Sequence, residues 1–79
     1  MRMFPYYCCD EKYMVAVIGG NKRTSKNFYY HRVDYSGVVF INKAEYAHTC
    51  PSRKEAEFLI GYLQKRIEEA GFVLRESLI

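Results

Sequence analysis

The 79-residue chain lacks the apolar segments that direct a protein into or across a membrane. No run approaches the roughly 20 apolar residues that span a bilayer. Segment 1–9 is too short and too aromatic for the apolar region of a signal peptide. Asn-x-Ser/Thr glycosylation sites are also missing. We therefore expect a cytoplasmic protein without a membrane partner.

Cysteine is too scarce for a disulfide framework, because the chain has three cysteines and two of them are adjacent. We expect reduced thiols, as in other cytoplasmic proteins. Cys8, Cys9, His48 and Cys50 offer four zinc ligands in principle. Structural zinc sites usually separate paired ligands by about two to four residues, and these four do not have that spacing. The sequence therefore predicts neither a bound metal nor a cofactor.

Signatures of catalysis are missing as well. Cys50 precedes a predicted helix, whose dipole would lower the pKa of a thiol, and His48 lies close enough in sequence to act as a base. No third residue is placed to orient them, so a structural cysteine is the favoured interpretation. The segment 19–22 has two glycines but lacks phosphate-loop spacing and leads into a strand. We predict that the protein is not an enzyme and has no catalytic residues.

Three segments have the pattern of β-strands. Tyr13–Ile18 is a continuous apolar run, which is typical of a central strand that is buried on both faces. Phe28–Val33 and Val38–Ile41 flank Asp34–Gly37, whose first and last residues suit a type I turn that closes a hairpin. Alternation along the second strand predicts two faces, with Phe28, Tyr30 and Arg32 on one and Tyr29, His31 and Val33 on the other.

One long helix follows. Ser52 and Glu55 form a capping-box pattern, and Gly71 can adopt the left-handed backbone conformation that ends a helix. We therefore predict a helix from Arg53 to Ala70. At 100° per residue the apolar side chains form one buried stripe: Ala56, Leu59, Ile60, Leu63, Ile67 and Ala70. A last strand begins with Phe72, Val73 and Leu74.

These elements predict a single α+β domain over residues 1–79. The expected architecture is a small two-layer β-β-β-α-β fold, in which one long helix packs on an antiparallel meander. A right-handed crossover would bring the last strand back into the sheet, and we expect it beside Tyr13–Ile18 and parallel to it. The N-terminal segment 1–11 is expected to pack on the sheet or on the helix.

Two large aromatic residues lie on the outer side of the predicted helix. Phe58 and Tyr62 are one turn apart, opposite the apolar stripe, and Lys65 lies beside them. Aromatic residues at such exposed positions are typical of a protein contact surface. The alternative is that the N-terminal aromatics fold over them within the same chain.

The net charge of +3 lies entirely in residues 1–26. A basic loop at 22–26 precedes the aromatic second strand, and cations beside aromatic rings are typical of single-stranded nucleic-acid binding. The residues of this alternative site are Lys22, Arg23 and Lys26 in the loop, and Tyr29 and His31 on the strand. The modest charge argues for weak binding.

From Lys12 onward the layout resembles that of small phage and prophage proteins. The matching stretch is Lys43–Ala56, which ends in Ser-Arg-Lys-Glu-Ala and leads from the meander into an amphipathic helix. Some proteins of that class inhibit bacterial immunity, anti-CRISPR proteins among them. The resemblance implies a non-enzymatic inhibitor or modulator that acts in the host cytoplasm on a larger host protein or ribonucleoprotein complex.

The leading functional prediction is therefore a protein-binding module that uses Phe58, Tyr62 and Lys65, and the alternative is a small nucleic-acid-binding protein. A homodimer is also predicted. One helix covers only one face of a sheet, so either Tyr13, Val15 and Val17 or Met14, Ala16 and Ile18 would remain as an open apolar surface. We expect a dimer either through this second sheet face or through the outer aromatics of the helix.

Overall fold

In the part of the chain that the structure describes, a mixed sheet of five strands carries one α-helix on one of its faces, which confirms the predicted α+β class. The computed structural model describes residues 2–19, 23 and 25–76. The strands are β1 (Phe4–Tyr7), β2 (Tyr13–Gly19), β3 (Lys26–Asp34), β4 (Gly37–Ile41) and β5 (Phe72–Arg75), and the helix is α1 (Arg53–Ala70).

The strand order is β1-β2-β3-β4-β5, antiparallel except for the parallel pair β4 and β5. Our prediction that the last strand lies beside Tyr13–Ile18 is therefore wrong. Segment 4–7 pairs with that strand and occupies its free edge. The helix therefore returns the chain to the opposite edge of the sheet, where β5 pairs with β4. The N-terminal segment thus joins the sheet as an edge strand.

A β-bulge in β3 changes which side chains face the helix. The register shifts between Tyr30 and Arg32, so His31 is an extra residue in the ladder. Beyond the bulge the alternation is reversed. Val33 consequently packs against the same core as Phe28 and Tyr30, which corrects the predicted division of this strand into faces.

The hairpin turn between β3 and β4 requires glycine at its end. Gly37 has a φ of 117°, in the region that side-chain-bearing residues rarely adopt. A Cβ there would lie 2.6 Å from the carbonyl oxygen of Gly71. That carbonyl accepts a hydrogen bond of 3.0 Å from the Val38 amide, so the tight turn lets the end of α1 dock against β4.

Helix α1 has the predicted bounds, and local signals account for them. The Ser52 hydroxyl accepts a hydrogen bond of 3.3 Å from the Glu55 amide at the first turn. At the other end Gly71 has a φ of 81°, and its amide donates to the Ile67 carbonyl at 2.7 Å. The apolar stripe packs on the sheet, although Ala70 at the helix end is exposed. The core between the two layers contains Val15, Val17, Phe28, Val38, Phe40, Ala56 and Leu63.

The second sheet face is more closed than the sequence predicts. Met14 and Ala16 are buried, whereas Ile18 is 67% exposed. The rings of Tyr6 on β1 and Tyr29 on β3 meet in an edge-to-face contact with 5.5 Å between centroids. Because β2 lies between those strands, the two rings cover Met14 and Ala16. The expected open apolar face is therefore wrong except around Ile18.

Candidate functional site

The outer side of α1 exposes two large aromatic rings. Phe58 is 83% exposed and Tyr62 is 53% exposed. Both lie on the helix surface that the sheet does not contact, and β1 pairs in the sheet instead of folding over them. Gly61 and Lys65 are exposed beside the rings. We refer to Phe58, Gly61, Tyr62 and Lys65 as the outer aromatic face.

Grooves flank the aromatic rings on both sides. One groove of about 610 Å³ lies between α1 and the segment 48–51 that precedes it. A second groove of about 480 Å³ runs along the helix itself and is lined by Glu57 and all four members of the outer aromatic face. The rings therefore form a ridge between two depressions, a shape that allows an opposing surface to interlock with it.

Segment 48–51 is held beside the helix by backbone hydrogen bonds that the sequence did not indicate. Tyr13 and Cys50 exchange two bonds, of 2.9 and 2.7 Å. The His48 amide donates to the Tyr30 carbonyl at 2.9 Å, and the two rings are in edge-to-face contact. The wall of the larger groove thus depends on strands β2 and β3.

The candidate nucleophile belongs to the hydrophobic core. Cys50 is buried and packs with the core between sheet and helix. Burial raises the pKa of its thiol, and the nearby Glu55 carboxylate adds to the effect. The net shift of this pKa is upward, whereas the catalytic hypothesis requires a lowered pKa. The thiol is therefore protonated at neutral pH, as a structural cysteine would be.

The hydroxyl group of Tyr62 is near enough to that of Tyr30 on β3 to affect its pKa. Burial raises the pKa of Tyr30, and the nearby Tyr62 hydroxyl adds to this shift. Phe58 extends further into solvent than Tyr62 does.

The charges around the outer aromatic face are only partly paired. Two ion pairs join neighbours along the helix: Arg53 with Glu57 at 3.3 Å, and Arg66 with Glu69 at 3.0 Å. Lys54, Lys65 and Glu68 are exposed on the same outer side, and they form no ion pair within the described part of the chain. These three charges are therefore available to a partner.

The structure describes four of the five residues of the predicted nucleic-acid site. Lys22 lies outside the described residues. Lys26 is paired with the carboxylate of Glu76. Tyr29 packs against Tyr6 on the second sheet face, and Nδ1 of His31 donates to the Tyr46 carbonyl at 2.7 Å. Arg23 is exposed. Nucleic-acid binding by this region stays a prediction.

The adjacent cysteines lie in the turn between β1 and β2. The Sγ atoms of Cys8 and Cys9 are 3.4 Å apart, and the interaction with Cys8 raises the pKa of the Cys9 thiol. Backbone hydrogen bonds from Cys8 to Lys12 and from Lys12 to Cys9 close this turn. Within residues 2–19, 23 and 25–76, no three His, Cys, Asp or Glu side chains are grouped as metal ligands.

Comparisons with known proteins do not assign the chain to a family. No protein-family model, no curated protein and no solved structure matches it. No helix in the described part of the chain has the length and apolarity that a membrane crossing requires.

Proposed function

We propose that this protein is a non-enzymatic protein-binding module whose contact surface is the outer aromatic face of α1. The observation that carries the proposal is the 83% exposure of Phe58 on a helix whose opposite side packs on the sheet. Burying such a side chain in an interface contributes about 2 kcal/mol. Aromatic side chains of this kind commonly dominate the free energy of protein association.

Two further features support a protein as the ligand. The ridge lies between grooves with largely apolar linings, so a complementary surface could bury both rings and exclude water. Lys54, Lys65 and Glu68 surround the rings with charges of both signs, as in the polar rim of an interface. A phosphate backbone would instead require a surface with positive charge throughout.

The resemblance to small phage proteins extends the proposal to the identity of the partner. A larger host protein or ribonucleoprotein complex is then the expected target, and the module would inhibit or modulate it by occupying a surface. A module of 79 residues has a small surface for an interface. A few side chains must therefore contribute most of the binding free energy.

Site-specific photo-crosslinking tests the contact surface directly. A photoreactive phenylalanine analogue at position 58 should form a discrete covalent adduct with the binding partner in cells, and mass spectrometry would identify it. The matched control is the same analogue at Tyr35, which is fully exposed at the β3–β4 turn far along the chain from α1. Equal adducts from both positions, or none from position 58, would contradict the proposal.

Substitution of Phe58 is the second part of the experiment. Phe58→Ala should abolish capture of the crosslinked partner while the free energy of unfolding stays within about 0.5 kcal/mol of the original. Tyr35→Ala should leave both quantities unchanged. Retention of the partner by Phe58→Ala, or a large loss of stability, would show that the ring has another role.

A further inference from the structure

The outer side of α1 carries a seam of exposed residues with the spacing of a helix–helix contact. Lys54, Phe58, Gly61, Lys65 and Glu68 follow one another at intervals of four, three, four and three residues. All five are exposed. An alternation of three and four keeps side chains on one stripe of a helix and is typical of paired helices. The stripe that faces the core consists of other residues, so this seam is accessible to another helix.

A notch interrupts the seam at its centre. Gly61 has no side chain, and a Cβ there would meet nothing within 4 Å. The smaller groove passes over Gly61 between Phe58, Tyr62 and Lys65. A small residue at a crossing point lets two helix backbones approach closely, so that a large side chain from the opposing helix can enter beside it.

We infer that the outer aromatic face binds the same face of a second copy of this chain, with the two α1 helices antiparallel and a two-fold axis at Gly61. The inference rests on the contact surface of the proposed function and adds a second copy of the chain as an occupant of that surface. In this arrangement Phe58 of one copy enters the notch between Gly61 and Lys65 of the partner subunit. The surface carries both the ridge and the depression, so it is self-complementary, as a two-fold interface must be.

Charge complementarity selects the antiparallel arrangement. Lys54 precedes Gly61 by seven residues and Glu68 follows it by seven. A two-fold axis at Gly61 therefore places Lys54 level with Glu68 of the partner subunit, and the symmetry repeats the pair. A parallel arrangement in register would instead oppose Lys54 with the partner's Lys54. Both charges lack an ion pair within the described residues, so the contact does not disrupt an existing one.

The size of the contact indicates a weak dimer. Large aromatic side chains bury about 150–250 Å² each, and with the stems of the flanking residues each copy would bury roughly 500 Å². The total of about 1,000 Å² is near the lower limit for a specific interface. A dissociation constant of roughly 10 µM is expected for such a contact. A host partner that uses Phe58 would compete with the second copy, since both need the same ring.

Light scattering or sedimentation between about 1 and 200 µM tests the dimer. The original chain should change from monomer to dimer over this range, and Phe58→Ala should raise the dissociation constant more than tenfold. A chain that stays monomeric at the highest concentration would overturn the inference. So would a dimer that is unaffected by Phe58→Ala, because another surface must then form it.

Charge reversal tests the register. Lys54→Glu and Glu68→Lys should each weaken the dimer by about tenfold, because each change places two like-charged pairs across the interface. The double variant Lys54→Glu/Glu68→Lys should restore the original dissociation constant. Lys43→Glu, an exposed change outside the helix, serves as the matched control and should have no effect. Failure of the double variant to restore binding would refute the antiparallel pairing.

The two proposals have separable outcomes. A chain that is monomeric but forms a specific adduct with another protein from position 58 would retain the proposed function and refute the dimer. A chain that does neither would refute both. A dimer that responds to Phe58→Ala and to charge reversal as described would support the dimer and the outer aromatic face as a contact surface, whereas a host target requires an adduct with another protein from position 58.

Discussion

The Asp34 carboxylate begins the β3–β4 turn and accepts several hydrogen bonds. The Ser36 amide donates to Oδ1 at 2.8 Å, the Ser36 hydroxyl donates to the same oxygen, and Arg32 Nε lies 3.3 Å from Oδ2. The Ser36 hydroxyl, its amide and Arg32 together hold the pKa of Asp34 below its ordinary value. The ionised side chain thus holds the first residue of the hairpin turn in place.

This shift predicts an acid-sensitive hairpin. A group whose pKa is lower in the folded state stabilises that state above its unfolded pKa of about 3.9, and the contribution is lost as the pH falls through the folded pKa. Ser36→Ala removes the hydroxyl donor, so the pKa of Asp34 should rise toward its ordinary value while the amide bond remains. NMR titration of the carboxyl carbon measures it, with Ser25→Ala as control. An unchanged pKa in Ser36→Ala would contradict the role of the hydroxyl.

At the scale of the element, α1 combines a well-capped helix with one residue that weakens it. Ser52 and Gly71 define its ends, but Gly61 lies in its interior, where glycine is less favourable than alanine by about 1 kcal/mol. The core does not explain this glycine, since a Cβ there has open space. The contact proposed for the outer aromatic face does explain it, because the missing side chain forms the notch.

Gly61→Ala should therefore have opposite effects on folding and on association. At about 2 µM, where most of the chain is monomeric, the free energy of unfolding in urea should increase by up to about 1 kcal/mol. At about 100 µM the dimer should be weaker than the original, because the added methyl group partly fills the notch. Tyr35→Ala, an exposed change outside the helix, should leave the dimer intact. An equal or stronger dimer in Gly61→Ala would conflict with a close crossing at this residue.

For the whole molecule, a chain of 79 residues has a small margin of stability. At roughly 0.05–0.15 kcal/mol per residue, the total is about 4–12 kcal/mol. Both sheet faces contribute to it, since Phe40 is fully buried under the helix and Ile41 is fully buried on the opposite side. The free-energy cost of a single large cavity in the core is thus a substantial fraction of the total free energy of unfolding.

Phe40→Ala should cost about 3–5 kcal/mol and lower the melting temperature by at least about 10 °C. Circular dichroism during heating measures the loss, and Tyr35→Ala, which removes a fully exposed ring, should melt as the original does. A melting temperature within a few degrees of the original for Phe40→Ala would show that the core can collapse around the cavity.

The candidate site was predictable where it depends on helix periodicity alone. Phe58 and Tyr62 are one turn apart and opposite the apolar stripe, so their outward position follows from 3.6 residues per turn. The groove beside them was not predictable, because its wall forms only when Cys50 pairs with Tyr13 from the other end of the chain. Nothing in the local sequence around Cys50 specifies that distant partner.

The sequence by itself determined α1, the central strand β2 and the β3–β4 hairpin, because capping, periodicity and turn chemistry act between residues only a few positions apart. Tertiary structure decided which strands are neighbours and which surfaces remain open. Segment 4–7 became an edge strand, β5 joined β4, and the bulge at His31 turned Val33 toward the core. Tyr6 and Tyr29 closed the second sheet face by meeting across β2. These outcomes depend on contacts between residues far apart in the chain, whose energies no local pattern records.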